Sequence, residues 1–168
     1  MLTLKTEKQI LNQGYKVIGA LDEAGRGPLA GPVVAACVVF DRELADKTKA
    51  LTAINDSKKL SAKKREELFA VVYNEFSEVG VGICDQDTID RINILQAAFL
   101  AMKKAISSLS KKPDYIILDG SLAIPNISLQ QRAIIKGDAK VLAIAAASII
   151  AKVTRDRIME KMHKRYPQ

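Results

Sequence analysis

The chain has 168 residues, 48% of them hydrophobic, a net charge of +7 and a single histidine, His163. This length and composition suffice for one hydrophobic core, so we expect a single domain over residues 1–168. One histidine excludes a multi-histidine zinc site. His163 is expected on the solvated surface at the basic end of a helix, which argues against a Ser-His-Asp hydrolase, so carboxylates must carry any chemistry. The basic excess favours a polyanionic partner, although paired lysines on helices also commonly form ordinary solvated faces.

The cysteines and the longest apolar run indicate the compartment. Cys37 and Cys84 each lie in an apolar run typical of a strand, which predicts buried, reduced thiols. Residues 141–151 form the longest nearly apolar run, which is too short to cross a bilayer, and no secretory signal pattern opens the chain. We therefore expect a cytoplasmic monomer with no membrane partner.

The first functional signal follows the first strand. Residues 1–12 are predicted to form a polar helix or arm, and strands are predicted at about 16–22 and 32–40. Asp22 and Glu23 stand together where the first strand ends, before a Gly/Pro-rich turn. Adjacent like charges repel, so this arrangement favours a divalent cation between them. The alternative that this segment leaves open is a solvated turn that the two acids merely begin.

The glycines of that turn also suggest a dinucleotide-binding loop. Gly25, Gly27 and Gly31 resemble such a loop, but the third glycine falls one position late. The segment that follows, 32–40, has strand character, whereas a pyrophosphate site needs a helix N-terminus there. We therefore set nucleotide binding aside.

The middle of the chain supplies helices that cover a sheet. Residues 55–59 are predicted to form a loop, and a helix begins near Ser61, a favourable N-cap. A third strand at 79–84 is weakened by two glycines. A strongly periodic apolar stripe predicts a helix from about 87 to 108.

Two more acids each follow a short predicted strand. Residues 115–118 precede Asp119, and residues 132–136 precede Asp138. A long helix is predicted to follow from about 140 to 165. Asp is a favoured N-cap, so Asp138 has a structural alternative as the cap of this helix.

The element order predicts an α/β domain with helices on the faces of a mixed sheet. Antiparallel strands at the start are extended by parallel strands later. If the first strand is central and the strand that ends at Asp119 runs parallel beside it, Asp22, Glu23 and Asp119 converge at one sheet edge, where ligands bind in open sheets.

Four such carboxylates suit a pair of hard cations. Two Mg²⁺ or Mn²⁺ ions roughly 4 Å apart need several oxygen ligands from more than one segment. One ion would activate a water, and the other would stabilise the leaving oxygen of a displacement at phosphorus. The candidate acids are Asp22, Glu23, Asp119 and Asp138.

Five motifs, in order along nearly the whole chain, resemble those of the ribonuclease HII family. They occupy residues 19–32, 56–60, 117–120, 136–138 and 146–156. The resemblance implies an RNase H-like α/β fold with a mixed five-stranded sheet, three strands of which are antiparallel. It also implies metal-dependent endonucleolytic cleavage of RNA in RNA–DNA hybrids, and cleavage 5′ of ribonucleotides embedded in duplex DNA, which leaves 3′-hydroxyl and 5′-phosphate ends.

The resemblance also implies roles for individual residues. The family's four catalytic acids fall on Asp22, Glu23, Asp119 and Asp138, the first three of them as metal ligands. Its loop that reads the ribose 2′-hydroxyl falls on Gly25, Arg26 and Gly27. Glycines suit that role because they let backbone groups approach a sugar closely. Contacts to backbone phosphates fall on Ser57, Lys58 and Lys59.

The sequence departs from the family pattern at its C-terminal end. Past Tyr166 and Pro167 the family continues into a Lys-Gly-Tyr-Gly-like motif, whose tyrosine supports recognition of the junction nucleotide, and a further helix. No tyrosine of this chain is assigned that role. We therefore expect that the chain binds metal, binds its substrate weakly and nicks it better with Mn²⁺ than with Mg²⁺. The alternative is a catalytically weak nucleic-acid-binding fragment of the same fold.

Overall fold

The computed structural model describes residues 2–46, 54 and 61–167. None of the described helices is long and apolar enough to span a bilayer. The elements are α1 (Lys5–Asn12), β1 (Val17–Ala24), β2 (Val33–Asp41), α2 (Arg42–Asp46), α3 (Ala62–Glu75), β3 (Val79–Cys84), α4 (Gln86–Ser107), β4 (Tyr115–Asp119), β5 (Gln130–Ile134), a 3₁₀ turn (Gly137–Ala139) and α5 (Leu142–Arg165).

The strands of the described ranges form a mixed five-stranded sheet in the order β3-β2-β1-β4-β5. β1 and β3 both pair antiparallel with β2, whereas β4 runs parallel to β1 and β5 runs parallel to β4. The predicted mixed sheet with three antiparallel strands is therefore confirmed. Leu21 of β1 pairs with Leu118 of β4, so the acids that follow each leucine leave the sheet at the same edge.

Both faces of the sheet are covered. All nine residues of β2 are buried, and from Ala35 to Phe40 they alternate between two core clusters. Ala36 and Val38 pack in the cluster that includes α3 and α5, while Cys37 and Val39 pack in the cluster that includes α4. Cys84 is buried as well, and both cysteines are free thiols, as predicted.

The glycines that weakened the prediction of β3 allow α4 to pack closely. A Cβ at Gly82 would meet the carbonyl oxygen of Ala101 and lie 2.7 Å from the amide nitrogen of Ala105. A Cβ at Gly80 would meet the carbonyl oxygen of Ala105. Any larger residue at these positions would push the helix off the strand.

The helix predicted for residues 87–108 is kinked rather than continuous. Asn93 has φ 66° and ψ 163°, a non-helical conformation inside α4. Its Oδ1 accepts hydrogen bonds from the amides of Leu95 and Gln96, at 3.0 and 3.1 Å. Asn93 therefore caps the second part of α4, a role for which Asn is well suited.

Of the other predicted boundaries, the start of α3 is confirmed and the last strand is displaced by two residues. Ser61 caps α3 as predicted, because its Oγ accepts a hydrogen bond from the Lys64 amide at 3.2 Å. The strand predicted at 132–136 spans Gln130–Ile134 instead. Lys136 has a left-handed backbone, with φ 57°, which ends the extended run before the 3₁₀ turn.

The N-cap alternative for Asp138 is wrong. Helix α5 begins at Leu142, and Val141 holds the cap position without a side-chain acceptor. The fully buried Glu7 of α1 instead accepts a hydrogen bond from the Ala143 amide at 3.0 Å. A carboxylate from another helix thus serves the N-terminus of α5, where negative charge is favoured.

Glu7 should make stability depend on pH. Burial raises the pKa of Glu7 from its ordinary 4.5, although backbone hydrogen bonds from Ala143 and Leu142 oppose this. Its favourable contribution is therefore present below the unfolded-state pKa and is lost as pH rises through the folded-state value. Glu7→Gln keeps an acceptor oxygen but does not ionise. We expect the unfolding free energy of the variant to rise relative to wild type by roughly 1 kcal/mol between about pH 4 and pH 7.

Urea unfolding of both proteins across that pH range measures this difference. Glu67→Gln is the matched control, because Glu67 is exposed on α3. A wild type that gains stability relative to Glu7→Gln as pH rises would contradict the assignment.

Candidate active site

Three of the predicted acids share one cavity. Asp22 and Glu23 stand near the end of β1, and Asp119 ends β4. Because these strands are adjacent and parallel, the three side chains line a common cavity of about 440 Å³. The predicted convergence at one sheet edge is therefore observed.

Asp22 is the most deeply buried of the three, with 4% of its surface exposed. Its Oδ1 accepts a hydrogen bond from the Glu23 amide at 2.8 Å, and the Ser148 side chain also hydrogen-bonds to it. Burial raises the pKa of Asp22 well above its usual range, and the nearby charges of Glu23 and Asp119 add to that rise. The site therefore holds more negative charge than its surroundings stabilise.

Glu23 has one oxygen engaged and one oxygen without a donor. Arg26 donates to Oε1 at 2.9 Å, whereas Oε2 is buried and has no hydrogen-bond partner among the described residues. Burial raises the pKa of Glu23, and the hydrogen bond and charge of Arg26 oppose that rise. A buried carboxylate oxygen that lacks a donor fits a site for a cation.

Asp119 is hydrogen-bonded to the segment that carries the next acid, Asp138. Its Oδ1 accepts a hydrogen bond from the Gly137 amide at 2.6 Å. Asp138 follows directly in the 3₁₀ turn and is only 2% exposed, but it is not among the residues that line the cavity. In the described ranges, no group of three or more His, Cys, Asp or Glu side chains forms a ready metal cage.

The glycine loop, which comprises residues 25–32, forms part of the cavity wall. Gly25, with φ +108°, lines it together with Pro28. Arg26 is exposed at the rim apart from its ion pair with Glu23, and a Cβ built on Gly27 would meet no atom within 4 Å. The predicted phosphate contacts lie outside the described residues; they are Ser57, Lys58 and Lys59.

Basic side chains also line the cavity. Lys152 and Arg155 of α5 and Arg65 of α3 line the cavity with Ser148. Lys152 is paired with Asp156 at 2.6 Å, and Arg65 lies 3.9 Å from the same carboxylate. A phosphate held near the acids would therefore lie close to positive charge as well.

The comparisons with known proteins decide the family. The Ribonuclease HII family model matches residues 18–168. The chain belongs to the ribonuclease HII family. It is 52% identical to Ribonuclease HII of Clostridioides difficile over 162 residues and 51% identical to that of Acetivibrio thermocellus over 161 residues. Each alignment covers 96% of this chain but 61% and 60% of the relatives, so the chain spans about three fifths of their length.

Solved structures of the wider family share the fold. Ribonuclease H2 from Pyrococcus horikoshii OT3 superposes with a TM-score of 0.75 at 32% identity, over 90% of this chain and 78% of that chain. A Bst-RNase HIII structure in complex with Mn²⁺ has a TM-score of 0.72 at 22% identity, over 89% of this chain and 55% of that chain. The RNase H-like α/β fold implied by the sequence motifs is confirmed.

Four lining residues have no site role in the sequence analysis: Arg65 of α3, and Ser148, Lys152 and Arg155 of α5. The three on α5 lie within the motif at residues 146–156. Their spacing of four and three residues places them on one face of α5. A polar stripe on a helix otherwise rich in alanine and isoleucine is the signal that could have found them.

Proposed function

We propose that this chain is the catalytic portion of a divalent-metal-dependent endoribonuclease. It would cleave the RNA strand of RNA–DNA hybrids and the 5′ side of ribonucleotides embedded in duplex DNA. The observation that carries the proposal is the convergence of Asp22, Glu23 and Asp119 on a cavity that basic side chains also line. Membership of the ribonuclease HII family supports the reaction class.

The acids suit two hard cations, Mg²⁺ or Mn²⁺. Carboxylate oxygens are the ligands these ions prefer, and Oε2 of Glu23, which has no hydrogen-bond partner in the described part of the chain, is a buried oxygen of the required kind. Asp22, Glu23 and Asp119 would hold the metals, and Asp138 would complete the catalytic set. When bound, the cations supply the Lewis acidity that activates water and stabilises the leaving oxygen, which yields 3′-hydroxyl and 5′-phosphate ends.

The protein's own contribution is to fix the acids and the substrate. The hydrogen bonds from Ser148 to Asp22 and from Gly137 to Asp119 orient two of the carboxylates before substrate arrives. Lys152 and Arg65 would hold the phosphate backbone, and the turn at Gly25, Arg26 and Gly27 would approach the ribose. Ser57, Lys58 and Lys59 remain predicted phosphate contacts.

A nicking assay tests the proposal. The substrates are a duplex with one embedded ribonucleotide, an RNA–DNA hybrid and an all-DNA duplex, each incubated with Mg²⁺, with Mn²⁺ or with a chelator. We expect cleavage of the first two substrates with either metal and none of the all-DNA duplex. Ligation and primer extension of the products identify the 5′-phosphate and 3′-hydroxyl ends. Metal-independent cleavage, or equal cleavage of all-DNA duplex, would refute the proposal.

A second candidate is a nucleic-acid-binding fragment of the same fold with little turnover. The basic side chains that line the cavity favour it, because they can hold phosphates with or without turnover. It predicts tight binding of all three substrates with little or no product at high enzyme concentration. Metal-dependent nicking at the ribonucleotide with many turnovers per enzyme would decide against it.

The glycine loop offers a separable test of sugar recognition. Gly27→Ala should leave the fold intact because the added methyl enters open space, so any effect must come from crowding of the bound substrate. Arg26→Ala removes a rim cation. We expect each variant to lower the preference for a ribonucleotide-containing duplex over all-DNA duplex by about tenfold, or about 1.4 kcal/mol.

Binding titrations with the two duplexes measure this preference. Lys8→Ala is the charge-matched control for Arg26→Ala, because Lys8 is exposed on α1. Equal losses on both duplexes would show that the loop contacts phosphates rather than the sugar.

A further inference from the structure

Arg155 is a buried cation with a fixed set of partners. Only 6% of its surface is exposed, although it lies on a helix face that borders the cavity. Its Nε donates to the carbonyl oxygen of Pro32 at 2.9 Å, and its Nη2 donates to that of Ala30 at 2.8 Å. Both acceptors belong to the glycine loop, more than 120 residues away in sequence. A buried charge must be hydrogen-bonded, so these two bonds are costly to lose.

The loop is shaped to accept this side chain. A Cβ at Gly25 would lie 2.6 Å from Arg155 Nε and 3.0 Å from its Cδ. A Cβ at Gly31, where φ is +90°, would meet Met159 Sδ and lie 3.2 Å from Arg155 Nη2. Residues without side chains thus stand at both ends of the loop, where the loop crosses α5. The guanidinium and Met159 fill the space beneath it.

We infer that Arg155 is a positioning residue that fixes the loop of residues 25–32 against α5. It thereby sets where Arg26 and Gly27 stand relative to Asp22 and Glu23. Two donors in a rigid planar fork can hold two carbonyl groups of one loop at once, which the single flexible ammonium of lysine does not reproduce. The consequence for ribonucleotide selectivity rests on the proposed function, whereas the fixing of the loop does not.

Amide hydrogen exchange tests the fixing directly, without any catalysis. Wild type is compared with Arg155→Lys, which keeps the charge, and with Arg157→Lys, a control two residues along the same helix. Arg157 is exposed and pairs with Glu66. We expect Arg155→Lys to raise exchange in residues 24–32 by about tenfold while β4 stays within about twofold of wild type. Arg157→Lys should change neither segment.

Two outcomes of that experiment overturn the inference. Unchanged exchange in residues 24–32 would show that the loop keeps its position without the two hydrogen bonds from Arg155. A uniform rise across β1, β4 and the loop would make Arg155 a residue of the whole fold rather than of the loop.

Selectivity provides the second arm. The Kd ratio between all-DNA duplex and the same duplex with one ribonucleotide should fall about tenfold in Arg155→Lys. Adding Arg26→Ala should cause little further loss, because both changes act through one loop. Full selectivity in Arg155→Lys, or additive losses in the double variant, would overturn the link to recognition. If wild type itself shows no selectivity, the proposed function fails while the exchange experiment still decides the inference.

Discussion

Asp22→Asn and Asp119→Asn should each lower the cleavage rate by at least about a thousandfold, or about 4 kcal/mol of transition-state stabilisation. Both acids line the cavity, and each amide keeps the shape of the side chain while it removes the charge that would hold a cation. Direct Mn²⁺ titration should show weakened binding in both variants. The control is Asp90→Asn, since Asp90 is exposed on α4.

The same Asp22 variant should be no less stable than wild type in the absence of metal. Burial and the neighbouring acids raise the pKa of Asp22, so its ionised form opposes folding at neutral pH. For a carboxyl with a raised folded-state pKa, the favourable contribution exists at low pH and disappears as pH rises through that value. Asp22→Asn should therefore be more stable than wild type near pH 7 and lose that advantage below about pH 4.

Activity and stability together make this a discriminating result. A variant that keeps near-normal turnover would refute the metal-ligand role of that acid. A variant that loses activity only because it unfolds would show a lower melting temperature without metal, opposite to the expectation.

The elements of this fold that depend on local sequence pattern could be predicted from the sequence. Apolar runs followed by acids predicted β1 and β4, and parallel pairing of neighbouring strands then brought Asp22 and Asp119 to one edge. Ser61 capped its helix as expected, because an N-cap is decided within one turn of the chain.

Contacts between distant segments were not accessible. The hydrogen bond from the Ala143 amide to Glu7 joins residues 136 positions apart, and no local pattern marks Glu7 as a cap for another helix. The glycines of β3 weaken its sequence signal because glycine disfavours strands in general. Their benefit, close approach to α4, depends on a helix that arrives later in the chain.

The candidate site divides in the same way. Acids at strand ends can be identified from the sequence, since a charged residue directly after an apolar run interrupts the pattern. Arg155 acts through carbonyl oxygens of a loop, which carry no side-chain signature at all. To predict the basic residues of α5 that line the cavity, one must know which face of that helix meets the sheet edge. The first half of α5 is buried on nearly all sides, so its sequence does not show a single core-facing side.

Asp138→Asn separates catalysis from structure at the fourth acid. Asp138 is buried and follows Gly137, whose amide binds Asp119, so it stands beside the site without lining the cavity. It does not cap α5, so removal of its charge leaves the helix start unaffected. We expect about a hundredfold or greater loss of nicking, with a melting temperature within a few degrees of wild type.

Asp41→Asn provides the matched contrast. Asp41 is also buried, but its partners are structural: Lys111 at 2.6 Å and the Leu44 amide at 3.0 Å. Loss of that ion pair should cost about 1 to 3 kcal/mol of stability while nicking per folded molecule stays near wild type. Thermal melts and nicking assays well below the melting temperature give both quantities. If Asp138→Asn behaves like Asp41→Asn, with lost stability and preserved turnover, Asp138 belongs to the framework and three acids carry the chemistry.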